Sequence, residues 1–303
     1  MKIAITGASG LIGQALSASL AADGHQVVPV VRSTTSASAE VIEWNPASGT
    51  IETEKFEGID GVVHLAGAGI GDHRWSESYK REILESRTMG TALLATALAS
   101  LDAPPSVLVS GSAIGFYGDT GTTAVDESAP AATDFLASVC VEWEAAAAPA
   151  AAAGIRVPFL RTGIVLSAKG GALAKMLPLF RFGLGGRMGS GAQYWSWISM
   201  TDEVRAIQWL LTNDIRGPVN ATAPTPVTNK EFTAALGAAM HRPTFAPVPA
   251  FGPKLLLGAE LADALLFTST RVLPAALESS GFTFTHPTIE KALTDVLTPA
   301  VAA

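Results

Sequence analysis

The sequence predicts an α/β protein with a doubly wound parallel sheet and a smaller C-terminal lobe. The first observation is a β-branched run at residues 2–6, a helical pattern at 11–22 and a second apolar run at 26–31, which make one strand–helix–strand unit. The second is a set of later apolar runs without polar alternation, typical of strands that are buried on both faces. These runs are residues 61–65, 107–110, 156–166 and 219–221.

Helical segments separate these strands. Residues 76–100 form the clearest one, because a serine suits the helix start and a pair of prolines lies beyond its end. A helix at 135–153 contains Pro149, which predicts a kink or a break. Three or four shorter helices are predicted near the C-terminus, around residues 229–240, 254–266, 271–279 and 288–297.

Composition excludes several classes of protein. The chain has 303 residues, of which 48% are hydrophobic and 16% are charged, so it is too apolar to be disordered. A net charge of −7 is the wrong sign for a nucleic-acid-binding protein. The single cysteine, Cys140, excludes an intrachain disulfide, and the five histidines lack the spacing of a metal site. We expect no metal.

The N-terminus and the hydropathy pattern predict where the protein works. The chain begins directly with an apolar strand, without the apolar region and cleavage site of a signal peptide. No apolar run approaches the length of about 18 residues that a membrane span needs. We therefore expect a cytoplasmic monomer or homodimer that binds a small-molecule substrate and neither nucleic acid nor membrane.

The segment TGASGLIG places three glycines between the first strand and the first helix. The first permits a tight turn, the second lets the backbone approach a pyrophosphate, and the third lets the helix pack closely on the strand. The amides at the helix N-terminus then face the anion. This context predicts a Rossmann-like dinucleotide site. Its predicted contacts are Gly7, Ser9, Gly10, Leu11, Ile12 and Gly13.

The end of the second strand favours NADP over NAD. A carboxylate there would bind the ribose 2′-hydroxyl of NAD, but the chain has Arg32 and Ser33 instead. A guanidinium beside hydroxyls suits a 2′-phosphate, although a solvated surface arginine is the simpler alternative. We predict that NADP (NADPH) is bound by residues 1–165, with late sheet elements returning around 197–222. Residues 166–303 are predicted to form mainly the substrate-binding lobe.

Further motifs occur along most of the chain. They are HLAG at residues 64–67, RW at 74–75, SR at 86–87, SGSAIGFYGD at 110–119, CVEWE at 140–144, LRTGIVL at 160–166, GLGG at 183–186 and GSGAQ at 189–193. With TGASGLIG, they resemble the extended short-chain dehydrogenase/reductase superfamily, and within it the atypical NAD(P)-dependent epimerase/dehydratase-like branch labelled cell-division-inhibitor-like. The resemblance implies a Rossmann domain, a bound dinucleotide and a substrate between two lobes.

Most of the catalytic tetrad of that superfamily is absent. Typical members use a Tyr-x-x-x-Lys pair with a serine and an asparagine, in which the tyrosine carries the proton and the lysine lowers its pKa. Alignment on Glu144 puts Leu136 at the tyrosine position and Cys140 at the lysine position, and Arg87 replaces the asparagine. Only Ser112 matches. The resemblance therefore implies the cofactor site more strongly than any particular reaction.

Two residues are candidates for catalysis. Ser112 follows a strand at the carboxyl edge of the sheet, where open α/β folds bind ligands, although a serine that caps a loop would look the same. Tyr117 has the only nearby phenol and either donates a proton to the substrate or packs beneath the cofactor. A bound water is the other candidate donor. Cys140 either faces the nicotinamide or is a small buried hydrophobe.

Other residues are predicted to line the cleft. Arg87 and Arg161 either bind a phosphate, anchor an anionic substrate or form structural ion pairs. Gln193, Trp195 and Trp197 either suit a sugar-like ring or belong to the core. The remaining predicted cofactor contacts are Leu65, Ala66, Gly67, Ser110 and Thr162.

Two functions are consistent with these patterns. The leading one is an NADP-dependent oxidoreductase or epimerase-like enzyme that acts at a carbonyl or secondary alcohol of a small polar, sugar-like substrate, with Ser112 polarising the oxygen. The rival is a non-catalytic NADP-binding sensor or regulatory protein, which the missing tyrosine and lysine favour.

Overall fold

The computed structural model describes residues 1–32 and 40–298. The strands, in chain order, are β1 (Lys2–Thr6), β2 (Gln26–Val31), β3 (Ile42–Asn45), β4 (Thr50–Ile51), β5 (Gly61–His64), β6 (Val107–Ala113), β7 (Ala124–Val125), β8 (Pro158–Thr162), β9 (Ile164–Leu166), β10 (Tyr194–Trp195), β11 (Trp197–Ser199), β12 (Gly217–Ala221), β13 (Val227–Thr228) and β14 (Arg271–Val272). The helices are α1 (Leu11–Ala22), α2 (Glu77–Ala99), α3 (Phe135–Ala145), α4 (Ala148–Ala152), α5 (Gly171–Arg181), α6 (Met200–Thr212), α7 (Asn229–Met240), α8 (Phe251–Leu257), α9 (Ala259–Ala262), α10 (Ala275–Ser279) and α11 (Ile289–Leu297).

Eight strands form the main sheet, in the order β12-β8-β6-β5-β1-β2-β3-β4. Neighbouring strands are parallel, except that β3 and β4 form an antiparallel pair at one edge. The strand order reverses at β1, because β2 lies on one side of it and β5 on the other. Open α/β sheets bind ligands at such a switch point, beyond the carboxyl ends of the strands. The fold therefore brings the glycine turn after β1 beside the HLAG segment at the end of β5.

Helices cover both faces of the sheet. Side chains alternate along β1, so Ile3 and Ile5 belong to one hydrophobic core and Ala4 to the other. The first core includes buried residues of α1 and α6, and the second includes buried residues of α2 and α4. This arrangement confirms the predicted doubly wound parallel sheet.

Several element boundaries agree with the sequence analysis. The first strand–helix–strand unit has the predicted bounds. Helix α2 begins after Ser76, whose hydroxyl accepts the Tyr79 amide at 3.2 Å, as expected of a helix N-cap. The predicted break near Pro149 is present, because α3 ends at Ala145 and Pro149 lies in the first turn of α4.

Other elements differ from the predictions. The run at 156–166 is two strands, because β8 pairs within the main sheet whereas β9 pairs with β11. Gly163 separates them, and a Cβ there would lie 2.7 Å from the Ser196 carbonyl oxygen. The region predicted as a helix at 271–279 starts as strand β14 and becomes helical only at Ala275. The edge pair β3 and β4 was not predicted.

One stretch in the described residues, Phe135–Ala152, is long and apolar enough to cross a membrane by length and composition alone. In this fold it is α3 followed by α4, and both helices contribute buried residues to the protein interior. Ala147 and Ala150 lie in the second sheet core. One face of the stretch therefore packs against the protein interior.

The second lobe has a core of its own, formed by buried residues of α5, α7, α11 and β11. The chain also returns to the first core beyond this lobe, because Leu277 and Phe282 are buried there. Asn220 of β12 donates from Nδ2 to the Leu273 carbonyl at 2.9 Å. The C-terminal segment is thus joined to the edge of the main sheet.

Candidate functional site

The turn after β1 is confined by backbone atoms on two sides. Gly7 has a φ of +68°, and a Cβ there would lie 2.8 Å from the Leu65 carbonyl carbon. A Cβ on Gly13 would lie 2.2 Å from the Gly7 carbonyl oxygen. Neither position accommodates a side chain, so the first turn of α1 stays close to β1 and to the segment after β5.

The N-terminus of α1 is available to an anion. Its N-cap is Gly10, no side chain in residues 1–32 or 40–298 caps it, and its first turn has no acidic residue. The free amides and the helix dipole both favour a negative group at this end. This cradle fits a dinucleotide pyrophosphate. Around it, Ser9 is exposed, and Leu11 and Ile12 are partly buried.

Thr6 and His64 hold the segment after β5 against this turn. The Thr6 hydroxyl oxygen accepts the amides of Leu65 at 3.1 Å and Ala66 at 3.2 Å. Thr6 therefore donates its own proton to Nδ1 of His64 at 2.6 Å, and Nε2 of His64 donates to the Thr91 hydroxyl at 2.9 Å. Burial lowers the pKa of His64 to about 4, so the ring is neutral at physiological pH. These hydrogen bonds fix the backbone of Leu65 and Ala66 on the sheet side, next to the exposed Gly67.

Ser112 is held by a buried ion pair at the carboxyl end of β6. It lies opposite Arg161 in the β6–β8 register, and its hydroxyl donates to Oε1 of Glu144 at 2.7 Å. Arg161 donates to the same carboxylate from Nε at 2.8 Å and from Nη2 at 2.9 Å. Its Cζ also lies 3.4 Å from the centroid of the Phe116 ring. The Ser112 oxygen is therefore fixed in position.

Arg161 and Tyr117 belong to this buried array rather than to the surface of the cleft. Nη1 of Arg161 donates to the Tyr117 hydroxyl at 2.9 Å, and that hydroxyl donates to Oδ1 of Asn220 at 2.7 Å. Both side chains are buried. Arg161 thus forms the structural ion pair that was one of its predicted alternatives, and the Tyr117 hydroxyl is occupied by two hydrogen bonds within the array.

The other two tetrad positions hold unreactive side chains. Leu136 packs against Gly115, where a Cβ would lie 3.2 Å from the Leu136 Cβ. Cys140 is buried, its Sγ lies 3.5 Å from the Ala113 carbonyl oxygen, and burial raises its pKa to about 11. Its environment is that of a small buried hydrophobe.

Arg87 lies beside the segment after β5. Its Nη1 donates to the carbonyls of Ala68 and Ile83, both at 3.0 Å, and its Cζ lies 4.9 Å from the Trp143 ring centroid. A Cβ on Gly67 would lie 3.3 Å from the same Cζ. The guanidinium is buried and forms no ion pair within the described parts of the chain. It therefore has donors for an anion or for ribose hydroxyls.

Thr162 and Ser110 differ in accessibility. Thr162 is partly buried and donates to Oε1 of Glu203 at 2.9 Å. Glu203 is fully buried, its Oε2 has no partner among the described residues, and burial raises its pKa to about 8. Ser110 is fully buried inside β6, so its side chain does not line the cleft, in contrast to the prediction.

The predicted sugar-binding group lies in the core of the second lobe. Gln193 donates from Nε2 to the carbonyls of Met188 and Leu266, at 3.3 Å and 3.0 Å. Trp195 and Trp197 are buried in the lobe core. These three residues are therefore part of the protein interior, which was the second of their two predicted roles.

Of the two residues predicted to select NADP, the structure describes only one. Arg32 is exposed just after β2, whereas Ser33 lies outside the described residues.

Glu144 was used in the sequence analysis only as an alignment landmark. It lies on the same helical face as Ala137 and Cys140, both buried, and a carboxylate on such a face requires a basic partner. The same reasoning applied to the sequence would have predicted an ion pair for Glu144, with Arg161 as a candidate partner.

Comparisons with known proteins identify the family of this chain. The profile of the NAD dependent epimerase/dehydratase family matches residues 3–222, and that of a domain of unknown function matches residues 248–296. An epimerase family protein of Mycobacterium leprae is 47% identical over 292 residues, which are 96% of this chain and 94% of the relative.

Solved structures show the same similarity. The crystal structure of the human epimerase family protein SDR39U1 with NADPH aligns with a TM-score of 0.88 and 33% identity, over 98% of this chain and 99% of that chain. A nucleoside-diphosphate sugar epimerase from Corynebacterium glutamicum aligns with a TM-score of 0.78 and 36% identity, over 98% of this chain and 58% of that chain.

The family profile covers most of the chain, and these relatives extend over almost all of it. Together with the glycine cradle, they show that this chain belongs to the NAD dependent epimerase/dehydratase family, as an atypical extended short-chain dehydrogenase/reductase with an NAD(P)-binding Rossmann fold.

Proposed function

We propose that this protein is an NADP(H)-dependent oxidoreductase or epimerase-like enzyme that acts at a secondary alcohol or carbonyl of a small polar substrate. The observation that carries this proposal is an intact dinucleotide cradle at the same edge of the sheet as a serine hydroxyl in a fixed orientation. Bound nicotinamide supplies hydride transfer. The residues of this chain must then hold the substrate oxygen and move one proton.

Ser112 is the residue proposed to contact the substrate oxygen. Its single proton is directed to Glu144 at 2.7 Å, which leaves the oxygen lone pairs to accept a hydrogen bond. In this orientation Ser112 can accept a hydrogen bond from the hydroxyl of an alcohol substrate. On oxidation, the alcohol proton passes to Ser112 as the Ser112 proton passes to Glu144; reduction reverses both transfers.

The test combines the variant Ser112→Ala with a screen of sugars, ketones and nucleotide sugars for changes in NADPH absorbance. We expect turnover to fall by roughly 100-fold or more, as for loss of a proton-transfer group. NADPH affinity should stay unchanged, because Ser112 is outside the glycine cradle. Unaltered turnover would remove Ser112 from the mechanism.

A non-catalytic NADP(H)-binding sensor is the second candidate function. The observation that favours it is the use of the Tyr117 hydroxyl by Asn220 and Arg161, together with apolar or unreactive side chains at Leu136 and Cys140. This candidate predicts tight NADPH binding without a substrate-dependent absorbance change anywhere in the screen.

Preference for NADP over NAD is proposed to depend on Arg32. The human relative crystallised with NADPH supports this choice. Titration of tryptophan fluorescence with NADPH and NADH is direct, because the chain has six tryptophans. Arg32→Asp is expected to reverse the preference, since a carboxylate repels the 2′-phosphate and accepts the 2′-hydroxyl. Tighter binding of NADH by the unmodified protein would contradict the assignment.

A further inference from the structure

The most exposed large hydrophobic side chains of the described residues lie in two segments of the second lobe. Six of them are between 64% and 87% exposed, whereas the next most exposed one, Leu179, is 49% exposed. We call these six residues the apolar rim. They are Phe182, Leu184, Phe245, Phe251, Leu255 and Leu256.

Helix α8 presents half of the apolar rim. Its sequence is FGPKLLL, and none of its seven residues is buried. Its attachment to the first domain is polar, because Arg74 donates from Nη2 to the Leu255 carbonyl at 2.6 Å and from Nε to the Leu256 carbonyl at 3.1 Å. The backbone of α8 is thus fixed while its large apolar side chains face solvent.

The two segments of the apolar rim are neighbours. The Val248 amide donates to the Arg187 carbonyl at 2.8 Å, and the Gly189 amide donates to the Val248 carbonyl at 3.1 Å. Arg242 donates from Nε to the Arg181 carbonyl at 3.0 Å. Phe182 and Leu184 lie a few residues before Arg187, and α8 begins three residues after Val248. The backbone contact therefore brings the exposed side chains into one region of the lobe.

The two chain segments that carry the apolar rim contain basic residues and no acidic ones. Residues 163–201 and 232–259 contain no aspartate or glutamate, in a chain with a net charge of −7. Among their basic residues, Lys254 is paired with Asp263 at 2.7 Å, and the others form no ion pair within the described chain. These basic residues are Lys169, Lys175, Arg181, Arg187, Arg242 and Lys254.

We propose that the apolar rim docks on the surface of an anionic lipid bilayer, with its phenylalanine and leucine side chains in the interface and the nearby basic residues at the head groups. Projecting side chains do not form the concave walls that enclose a small ligand. A second copy of this face would bring like charges together. Exposed apolar residues beside unpaired cations are typical of peripheral membrane contacts.

This proposal departs from the expectation that the protein binds no membrane. That expectation came from the length of apolar runs, which detects spanning segments. A peripheral contact is assembled from separated segments and leaves no such run in the sequence. The proposal also does not depend on catalysis, because none of the six residues lies in the glycine cradle or in the Ser112 array.

Co-sedimentation with vesicles tests the proposal. We expect binding to vesicles of equal parts phosphatidylcholine and phosphatidylglycerol, and much weaker binding to phosphatidylcholine alone. The double variant Phe251→Ser/Leu255→Ser should bind the anionic vesicles at least about tenfold more weakly, because two apolar anchors are lost. Arg181→Glu/Arg242→Glu should weaken binding and reduce its salt dependence.

Matched controls separate this surface from apolar exposure in general. Met89→Ser and Val141→Ser change large hydrophobics that are 43% and 42% exposed on the first domain, and both should bind vesicles as the unmodified protein does. NADPH affinity and the melting temperature report whether each variant is folded. Failure of the unmodified protein to bind anionic vesicles would overturn the proposal. A dimer that Phe251→Ser/Leu255→Ser dissociates would also overturn it, since the rim would then be an interface between copies.

Discussion

Arg87 is a buried cation with no carboxylate partner among the residues that the structure describes. It lies near Cys140, which occupies the tetrad lysine position. We predict that Arg87→Met weakens NADPH binding by about tenfold or more, as for loss of a charged hydrogen bond. Affinity for adenosine 2′,5′-bisphosphate, which lacks the nicotinamide half, should not change.

Calorimetric titration of both ligands measures this difference, and Arg87→Lys should recover part of the lost affinity. Arg156→Met is the matched control, because Arg156 is also buried but donates to the carbonyls of Leu210 and Leu211, away from the cleft. Equal loss of affinity for both ligands would show that Arg87 acts on the adenosine half or on folding.

Glu203 makes stability depend on pH. Burial raises its pKa from 4.5 to about 8, so the folded protein keeps the proton at pH values where the unfolded chain has released it. The contribution of Glu203 to stability is therefore fully present below about pH 4.5, falls by about 1.4 kcal/mol per pH unit as pH rises, and levels off above about pH 8. Glu203→Gln, which retains the acceptor for Thr162, should lack this fall. Melting temperatures of both proteins across this range measure the effect, and parallel curves would contradict it.

At the scale of elements, the Glu144–Arg161 pair connects α3 to β8. Removing one partner leaves a buried charge, so Glu144→Leu and Arg161→Leu should each cost about 3–5 kcal/mol of unfolding free energy. The double variant should cost clearly less than the two single costs together, because no charge is then left alone. Urea unfolding of the four proteins gives the coupling energy. Additive costs would show that the pair contributes little.

Local patterns predict elements well where they act within one segment. Neighbouring residues determine the N-cap of α2, the break at Pro149 and the bounds of the first strand–helix–strand unit. The ion pair between Arg161 and Glu144 could not be predicted in the same way. It depends on the strand register that places Ser112 opposite Arg161, and on which face of α3 packs against these strands. The exposure of α8 is also a tertiary property, since its apolar sequence resembles that of a buried helix.

At the scale of the whole molecule, the first domain depends on the C-terminal segment. Leu277 and Phe282 complete its core, and the Val272 amide donates to the Ser196 hydroxyl at 2.8 Å. We predict that a chain ending at Met240 lacks a cooperative thermal transition, because that core would lose buried side chains that the remaining residues do not replace. The full chain should unfold in one transition, with circular dichroism and tryptophan fluorescence coinciding. A cooperative transition in the shortened chain would contradict this.

Cys140 gives chemical labelling a single target in this protein. Its thiol is covered at the end of β6 and is almost entirely protonated, so iodoacetamide reacts only after α3 has moved away from that strand. The rate of alkylation therefore measures how often this part of the cleft opens. A compound that bridges α3 and β6 would slow the modification, and one peptide mass would then identify ligands without any need for turnover.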